Sequence, residues 1–276
     1  MPVQRVLIES EDGARAAVSL HGAQVISWVD SRHDEHLFRS SRSEFKPGGA
    51  IRGGIPVIFP QFSTFGPLPK HGFARTSDWS LVDAGTFRLT DSPATRAVWP
   101  YPFVVEVTVA VGGQGLHVRL SVRNSGQDPF EFTSALHTYL RVADVRRVVV
   151  GGLEGARYRD SAAGGAARVQ PEHTLSIVGE VDRIYPDVSG PVDIVEAHRV
   201  RSCSMTGFRD VVIWNPGPMA SLPDMEPGGY ERMLCVEAAA IVAPIRLGPG
   251  KEWVGTQRLD ARDAREADEH STAGQR

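Results

Sequence analysis

One carboxylate stands in the middle of an otherwise apolar run: Met233, Leu234, Cys235, Val236, Glu237, Ala238, Ala239, Ala240, Ile241, Val242, Ala243. Burying a carboxylate is unfavourable by several kcal/mol unless it is paired, hydrogen-bonded or protonated. Burial also raises its pKa, which makes it a useful proton acceptor near neutral pH. Glu237 therefore reads either as a catalytic base or as a core carboxylate satisfied by an arginine or backbone amides. The run Phe132-Thr133-Ser134-Ala135-Leu136-His137-Thr138-Tyr139-Leu140 places a histidine in a similarly apolar strand. If that strand lines a cleft, His137 can donate a proton near neutral pH, and otherwise it is a satisfied core residue. Tyr139, two residues on, falls on the same strand face.

A third stretch runs from Ile51-Arg52-Gly53-Gly54-Ile55-Pro56 through Phe59-Pro60-Gln61-Phe62 to Lys70-His71-Gly72-Phe73-Ala74-Arg75. It is too rich in Gly, Pro and aromatics for a regular strand and reads as a long ordered loop, a form that is often functional. Arg52, Lys70 and Arg75 supply cations that suit phosphate or carboxylate, or else are solvated loop charges. In Val181-Asp182-Arg183-Ile184-Tyr185-Pro186, Asp182 could bind hydroxyls or pair with Arg183 in a turn. His33-Asp34-Glu35-His36 resembles a metal-ligand set only superficially and reads as a polar turn. There is no Walker loop, GxGxxG or GxSxG, so nucleotide binding and serine hydrolysis lack support.

The elements that must hold these residues are strands. Val105, Val107, Val109 and Val111 alternate with polar or small residues, Gly112-Gly113-Gln114-Gly115 turns the chain, and Leu116, Val118, Leu120 and Val122 alternate again. This is an antiparallel hairpin with one wet face. Further strands are expected at 5–8, 16–20, 24–29, 80–84, 131–142, 147–150, 192–195, 200–205, 210–214 and 253–259. Amphipathic helical periodicity is nearly absent, and 19 prolines and 28 glycines spread along the chain argue against long helices. The fold class expected is all-β, as one sandwich over residues 1–260. Residues 161–170 read as a surface loop and residues 261–276, poor in apolar anchors, as a disordered tail.

Hydrophobic residues make up 41% of the 276, ample for a sizeable core, and the formal net charge of −3 points to neither a nucleic-acid nor a membrane-surface partner. Two cysteines, Cys203 and Cys235, cannot form a disulfide framework or a CxxC metal site. The Met-Pro-Val-Gln-Arg start lacks the apolar segment of a signal peptide, and no run is long enough to span a membrane. A cytoplasmic, monomeric protein is expected.

The stretches IRGGIPVIFPQFSTFGPLPKHGFAR, ALHTYLRVADV, VDRIY, VVIWNP and YERMLCVEAAAIVAPIRLGPGKEWVG occur in this order from residue 51 to residue 255. Together they resemble the glucose-6-phosphate 1-epimerases, or hexose-6-phosphate mutarotases, of the aldose 1-epimerase superfamily. The resemblance implies an antiparallel β-supersandwich of galactose mutarotase-like fold with a cleft on one face. It implies His137 and Glu237 as the catalytic pair, Arg52, Arg75 and Asp182 as sugar-phosphate contacts, and His71 as a further histidine on the sugar. Lys70 stands at a substrate-contacting position where several members carry glutamine, and Gly217 where many carry tryptophan, which leaves the cleft rim more open. The implied reaction exchanges α and β anomers of a hexose 6-phosphate by ring opening and reclosure. Glu237 takes the O1 proton, His137 protonates the ring oxygen, and no metal or organic cofactor is needed. The alternatives are mutarotation of unphosphorylated aldoses and a non-catalytic sugar-phosphate-binding module.

Overall fold

The computed structural model describes residues 4–264. Its strands form a three-stranded sheet at the N-terminus and two larger sheets of eight and nine strands. Every ladder between strands is antiparallel. The one α-helix among the described residues, Pro93–Val98, is six residues long and begins with a capping box between Ser92 and Thr95.

The hairpin expected around residue 113 is present: Phe103–Gly112 pairs with Gly115–Asn124, with Val105 opposite Val122, Val107 opposite Leu120 and Val109 opposite Val118. Those valines and Leu120 face the core between the two large sheets, while Arg119 and His117 point outward, as period-two alternation dictates. From the eight-stranded sheet, Leu136, Leu140, Val211, Ile213, Leu234, Val236 and Ala238 enter the same core. Each such side chain contributes about 1.5–3 kcal/mol by leaving water.

The long strand Met233–Leu247 explains why its sequence is apolar without alternation. Leu234, Val236, Ala238 and Ala240 face the main core, whereas Cys235 and Met233 lie in one cluster and Ala239 and Ile241 in another on the opposite face. Both faces are covered, so neither reads as polar. Glu237 belongs to the second face.

Four sequence expectations need correction. The strand expected over 131–142 is two strands, Phe130–Leu136 and Tyr139–Arg141, interrupted at His137 and Thr138. The expected loop 161–170 contains the strand Ala166–Val169, paired with Arg157–Asp160, which its small residues had hidden. The last strand, Glu252–Asp263, continues past residue 260 into the segment assigned to the tail, because Arg199–Thr206 pairs with it as far as Asp263. Residues 265–276 lie outside the described residues. Finally, Glu35 and His36 are not surface turn residues. The Glu35 carboxylate accepts from the Trp28 and Leu37 amides, and His36 is buried against Asp30, with Nε2 2.9 Å from Oδ2.

Candidate active site

Cross-strand register assembles the site. Residues directly opposite one another across an antiparallel ladder share a face. Asp182 lies opposite Trp214, Trp214 opposite Cys235, and Cys235 opposite Tyr139, forming one row across four strands. Two residues along, Ile184, Val212 and Glu237 form the next row. Leu136 pairs with Ala238 and Tyr139 with Cys235, so the same register sets His137 directly against Glu237 where the ladder is interrupted. There the His137 N–H reaches the Pro56 carbonyl at 3.0 Å, in the register of the neighbouring strand Val57–Ile58, while the Val236 N–H still reaches the Thr138 carbonyl at 3.0 Å.

A fully buried amide steadies this interruption from below. The Thr138 hydroxyl donates to Gln257 Oε1 at 2.6 Å, and Gln257 Nε2 donates to the Val236 carbonyl at 3.1 Å. Gln257 lies on the nine-stranded sheet, so the two sheets are tied at the residues beside His137 and Glu237.

All seven residues named from the sequence (Arg52, Lys70, His71, Arg75, His137, Asp182 and Glu237) line one cleft of about 260 Å³. His137 Nδ1 is 3.2 Å from Glu237 Oε1. The two are within ion-pair range but not aligned as a hydrogen bond, and His137 Nδ1 and Glu237 Oε2 are buried polar atoms without a hydrogen-bond partner. Unpaired buried polar atoms are uncommon in folded proteins, and Gln24, Trp28, His36 and Arg201 carry others away from this cleft. The His137 ring stacks on Tyr139 at 4.8 Å and 9° and meets the Trp214 edge at 5.8 Å.

Burial drives the electrostatics. It pushes the Glu237 pKa well above the usual carboxylate range, with Asp182 adding to the rise and Arg75 opposing it. Burial and then the charges of His71, Arg75 and Arg52 hold His137 well below the ordinary imidazole value. Burial thus favours the uncharged form of each partner.

The long loop supplies the other side of the cleft. Gly53 and Gly54 turn the chain at φ +113° and +62°, and a Cβ on either would meet backbone atoms of the 38–39 or 25–26 segment at 2.4 Å or less. Gln61 holds the loop from within, donating to the Ser63 and Leu68 carbonyls and accepting from the Leu68 amide. The Ser63 amide donates to His71 Nδ1 at 3.2 Å, so neutral His71 carries its proton on Nε2, which is left to act as a donor. Burial, aided by Arg75, Lys70 and Arg52, lowers the His71 pKa to about 3.

This shift gives a stability prediction. The folded pKa lies below the unfolded value of about 6.5, so the stabilisation is present above that pH and is lost as pH falls. His71 has φ +67°, a conformation asparagine tolerates, and asparagine can keep the contact to Ser63. In urea unfolding, His71→Asn should gain on the native protein by about 1.4 kcal/mol for each pH unit below about 6.5. Parallel stability curves for the two proteins would show that His71 does not titrate in this way.

The arginines differ from one another. The Arg75 Nη2 donates to the Lys70 carbonyl at 3.2 Å, and its buried Nε has no partner. Arg52 is fully engaged: Nε lies 3.1 Å from both Asp224 carboxylate oxygens, and Nη1 donates to the Tyr139 hydroxyl at 2.9 Å. Burial works against its charge, but Tyr139 and Asp224 outweigh it and the net shift is upward. Lys70 is exposed at the cleft mouth. Asp182 is not paired with Arg183, whose guanidinium donates to Gln170 at 2.8 Å and lies over the Tyr158 ring. Burial instead raises the Asp182 pKa.

Sequence reasoning missed Asp224, Trp214 and Leu222 as neighbours of the site. Trp214 had a signal, an aromatic inside the strand Asp210–Asn215, but Asp224 and Leu222 sit in a loop where polar and small apolar residues are ordinary. Gly217, expected to open the rim, is buried with φ +68°, and a Cβ there would approach the Glu180 nitrogen at 2.6 Å. A tryptophan cannot be added to this backbone, and Leu222 lines the cleft here. His137 Nδ1, Cys235 Sγ and a Glu237 oxygen lie within 4.8 Å of one another and could hold a soft divalent metal. Arg52 and Arg75 work against a cation at that place.

The antiparallel supersandwich with this acid–base cleft defines a mutarotase-type isomerase. The chain belongs to the aldose 1-epimerase family, which it matches over residues 4–260. It is 35% identical over 280 residues to a protein of Cenchrus ciliaris provisionally named a glucose-6-phosphate 1-epimerase, covering 94% of this chain and 85% of that one. A protein of Escherichia coli K12 with the same provisional name is 34% identical over 85% of this chain and 82% of its own. The crystal structure of a provisionally assigned mutarotase from Salmonella typhimurium superposes with a TM-score of 0.86 at 30% identity, covering 95% of this chain and 91% of that one. The galactose mutarotase related enzyme of Lactobacillus acidophilus shares the fold, with a TM-score of 0.76 at 16% identity over 94% of this chain and 97% of that one. The protein is an epimerase that interconverts sugar anomers. Among the described residues no helix is long and apolar enough to cross a membrane.

Proposed function

We propose that the substrate is a hexose 6-phosphate, with glucose 6-phosphate the first choice, and that Glu237 and His137 perform the proton transfers. One observation carries the reading: the unpartnered His137–Glu237 pair opens into the same cleft as Arg52, Lys70 and Arg75. The names of the relatives support the phosphate.

Anomer exchange requires loss of the O1 proton and protonation of the ring oxygen, followed by rotation of the C1–C2 bond in the open aldehyde and reclosure. The pair holds one proton to move, and a neutral Glu237 beside a neutral His137 has the same proton inventory as a carboxylate beside an imidazolium. The sugar selects the second arrangement. Its ring oxygen can only accept, which favours protonated His137, and its O1–H can donate, which favours ionised Glu237. Glu237 then removes the O1 proton, His137 delivers its own to the ring oxygen, and the roles reverse on reclosure. One acid and one base suffice, so the same reading includes action without a metal or organic cofactor, by a cytoplasmic monomer with no nucleic-acid or membrane partner. His71 Nε2 and Asp182 serve as a donor and an acceptor for sugar hydroxyls. The His137 imidazole, held flat against Tyr139, keeps its orientation through the cycle.

The direct test starts from freshly dissolved α-glucose 6-phosphate and follows the β anomer with a coupled dehydrogenase. Conversion no faster than the buffer-catalysed reaction would remove the proposal. The phosphate reading has its own test in Arg75. Losing a charge-assisted contact to a dianion costs about 2–4 kcal/mol, or roughly a hundredfold in kcat/KM. Arg75→Gln should show that loss with glucose 6-phosphate and a far smaller one with free glucose. Equal losses would instead favour an unphosphorylated aldose.

A further inference from the structure

The guanidinium of Arg52 faces the cleft with every nitrogen already in use. Asp224 takes Nε through both oxygens at 3.1 Å and Nη2 through Oδ2 at 3.1 Å, and Tyr139 takes Nη1. The fork is thus filled by a carboxylate of the protein itself, in the bidentate geometry that an incoming anion would use.

Asp224 comes from an irregular span that is firmly held at both ends. At one end the Asn215 side chain donates to the Tyr230 and Met233 carbonyls at 2.8 Å and accepts from the Gly217 amide at 2.9 Å. At the other, Glu226 accepts from the Ser40 hydroxyl at 2.6 Å, the Ser41 amide at 3.0 Å and Arg232 at 3.0 Å. Between these anchors, from Pro218 to Asp224, the ties to the rest of the described fold are the pair with Arg52 and the bond from the Met225 amide to the Leu222 carbonyl. The Asp224 side chain keeps 33% of its exposure, so it can turn to water without crossing the core.

We infer that Asp224 is an internal competitor for the anion site: it occupies Arg52, and an anionic group of the substrate must displace it to use that arginine. The inference rests on the hexose 6-phosphate reading above and deepens it. Displacing Asp224 by a sugar carboxylate, as in a hexuronate, exchanges one monoanionic bidentate pair for another and yields no net pairing. A neutral hydroxymethyl group cannot displace it at all. A phosphoryl dianion brings about twice the charge and three acceptor oxygens, and Arg75 and Lys70 stand in the same cleft to meet the remainder. Asp224 thus lowers the gain from Arg52 by the same amount for every ligand that displaces it and leaves neutral sugars unaffected, so it narrows the advantage of anionic sugars over neutral ones.

The test compares the native chain with Asp224→Asn, which keeps the shape of the side chain and removes its charge, and with Asp224→Ser as a second variant. Anomer exchange is followed by NMR for glucose 6-phosphate, glucuronate and glucose, and inorganic phosphate is titrated as an inhibitor. The ratios of kcat/KM for glucose 6-phosphate and for glucuronate to that for glucose should rise at least tenfold in both variants. The inhibition constant for inorganic phosphate should fall at least fivefold. A merely structural role would lower all three substrates together and leave the ratios fixed, which would overturn the inference, as would an unchanged phosphate constant. A native enzyme that treats glucose 6-phosphate and glucose alike would overturn the substrate reading instead. The phosphate titration of the variants would still report who occupies Arg52.

Discussion

Glu237→Gln is expected to lower kcat for anomer exchange by about a hundredfold to ten-thousandfold while making the protein harder to unfold at neutral pH. Both effects have the same cause. The carboxyl group is 1% exposed and opposite His137, with one oxygen lacking any partner. Glutamine fills the same space but cannot take the O1 proton, so chemistry is lost while the packing of Met233–Leu247 is kept.

The stability effect follows from the direction of the pKa shift. The folded value lies above the unfolded value of about 4.3, so the contribution of Glu237 is fully present below that pH and is lost as pH rises through the folded pKa. At neutral pH the unfolded chain gains by ionising a group that the fold keeps protonated. Glutamine has no such penalty. Its thermal midpoint should exceed that of the native chain by a few degrees near pH 8, and the gap should close toward pH 4.5. An active Glu237→Gln protein, or one whose advantage does not vary with pH, would refute the buried-base assignment.

His137→Asn should lower kcat to a similar extent, by roughly a hundredfold to ten-thousandfold, with a much smaller change in KM. In the proposed cycle the imidazole protonates the ring oxygen, and asparagine can donate a hydrogen bond but not a proton. Because Glu237 and His137 handle one proton together, the double variant should be little slower than the slower single one. Multiplying penalties would mean that the two act independently, against the cross-strand pairing seen here. Single-turnover anomer exchange by NMR separates these outcomes, since it reads chemistry apart from binding.

The two catalytic candidates were legible in the sequence because each is a local anomaly. An ionisable side chain flanked by apolar neighbours on both sides is conspicuous in Met233–Leu247 and in Phe130–Leu136 with its continuation. The hairpin 103–124 was equally plain, since one face of it is wet and the other dry. The strand Ala166–Val169 left no such trace, because all four of its residues are exposed and no burial pattern marks an edge strand. The break at His137 and Thr138 was also hidden, because no proline or glycine between Phe132 and Leu140 marks it.

Asp224 illustrates a further limit. A carboxylate in the loop segment Leu222-Pro223-Asp224-Met225-Glu226-Pro227 looks like any solvated charge. Its importance comes from pairing directly with Arg52, 172 positions away. The cations of the loop from Arg52 to Arg75 were visible, but not that Arg52 is neutralised by the protein itself while the Nε of Arg75 stays unpaired.

By itself the amino-acid sequence determined that the chain is all-β, that Glu237 and His137 are set among apolar neighbours, and that the loop from Arg52 to Arg75 is rich in cations. Alternation and burial preference are properties of neighbouring residues, so they survive without any knowledge of the fold. Only the tertiary structure decided that His137 faces Glu237, in which direction burial moves each pKa, and which arginine is free to meet an anion. Those depend on strand register and on the summed fields of groups far apart along the chain, and such fields exist only once the sheets have closed around them.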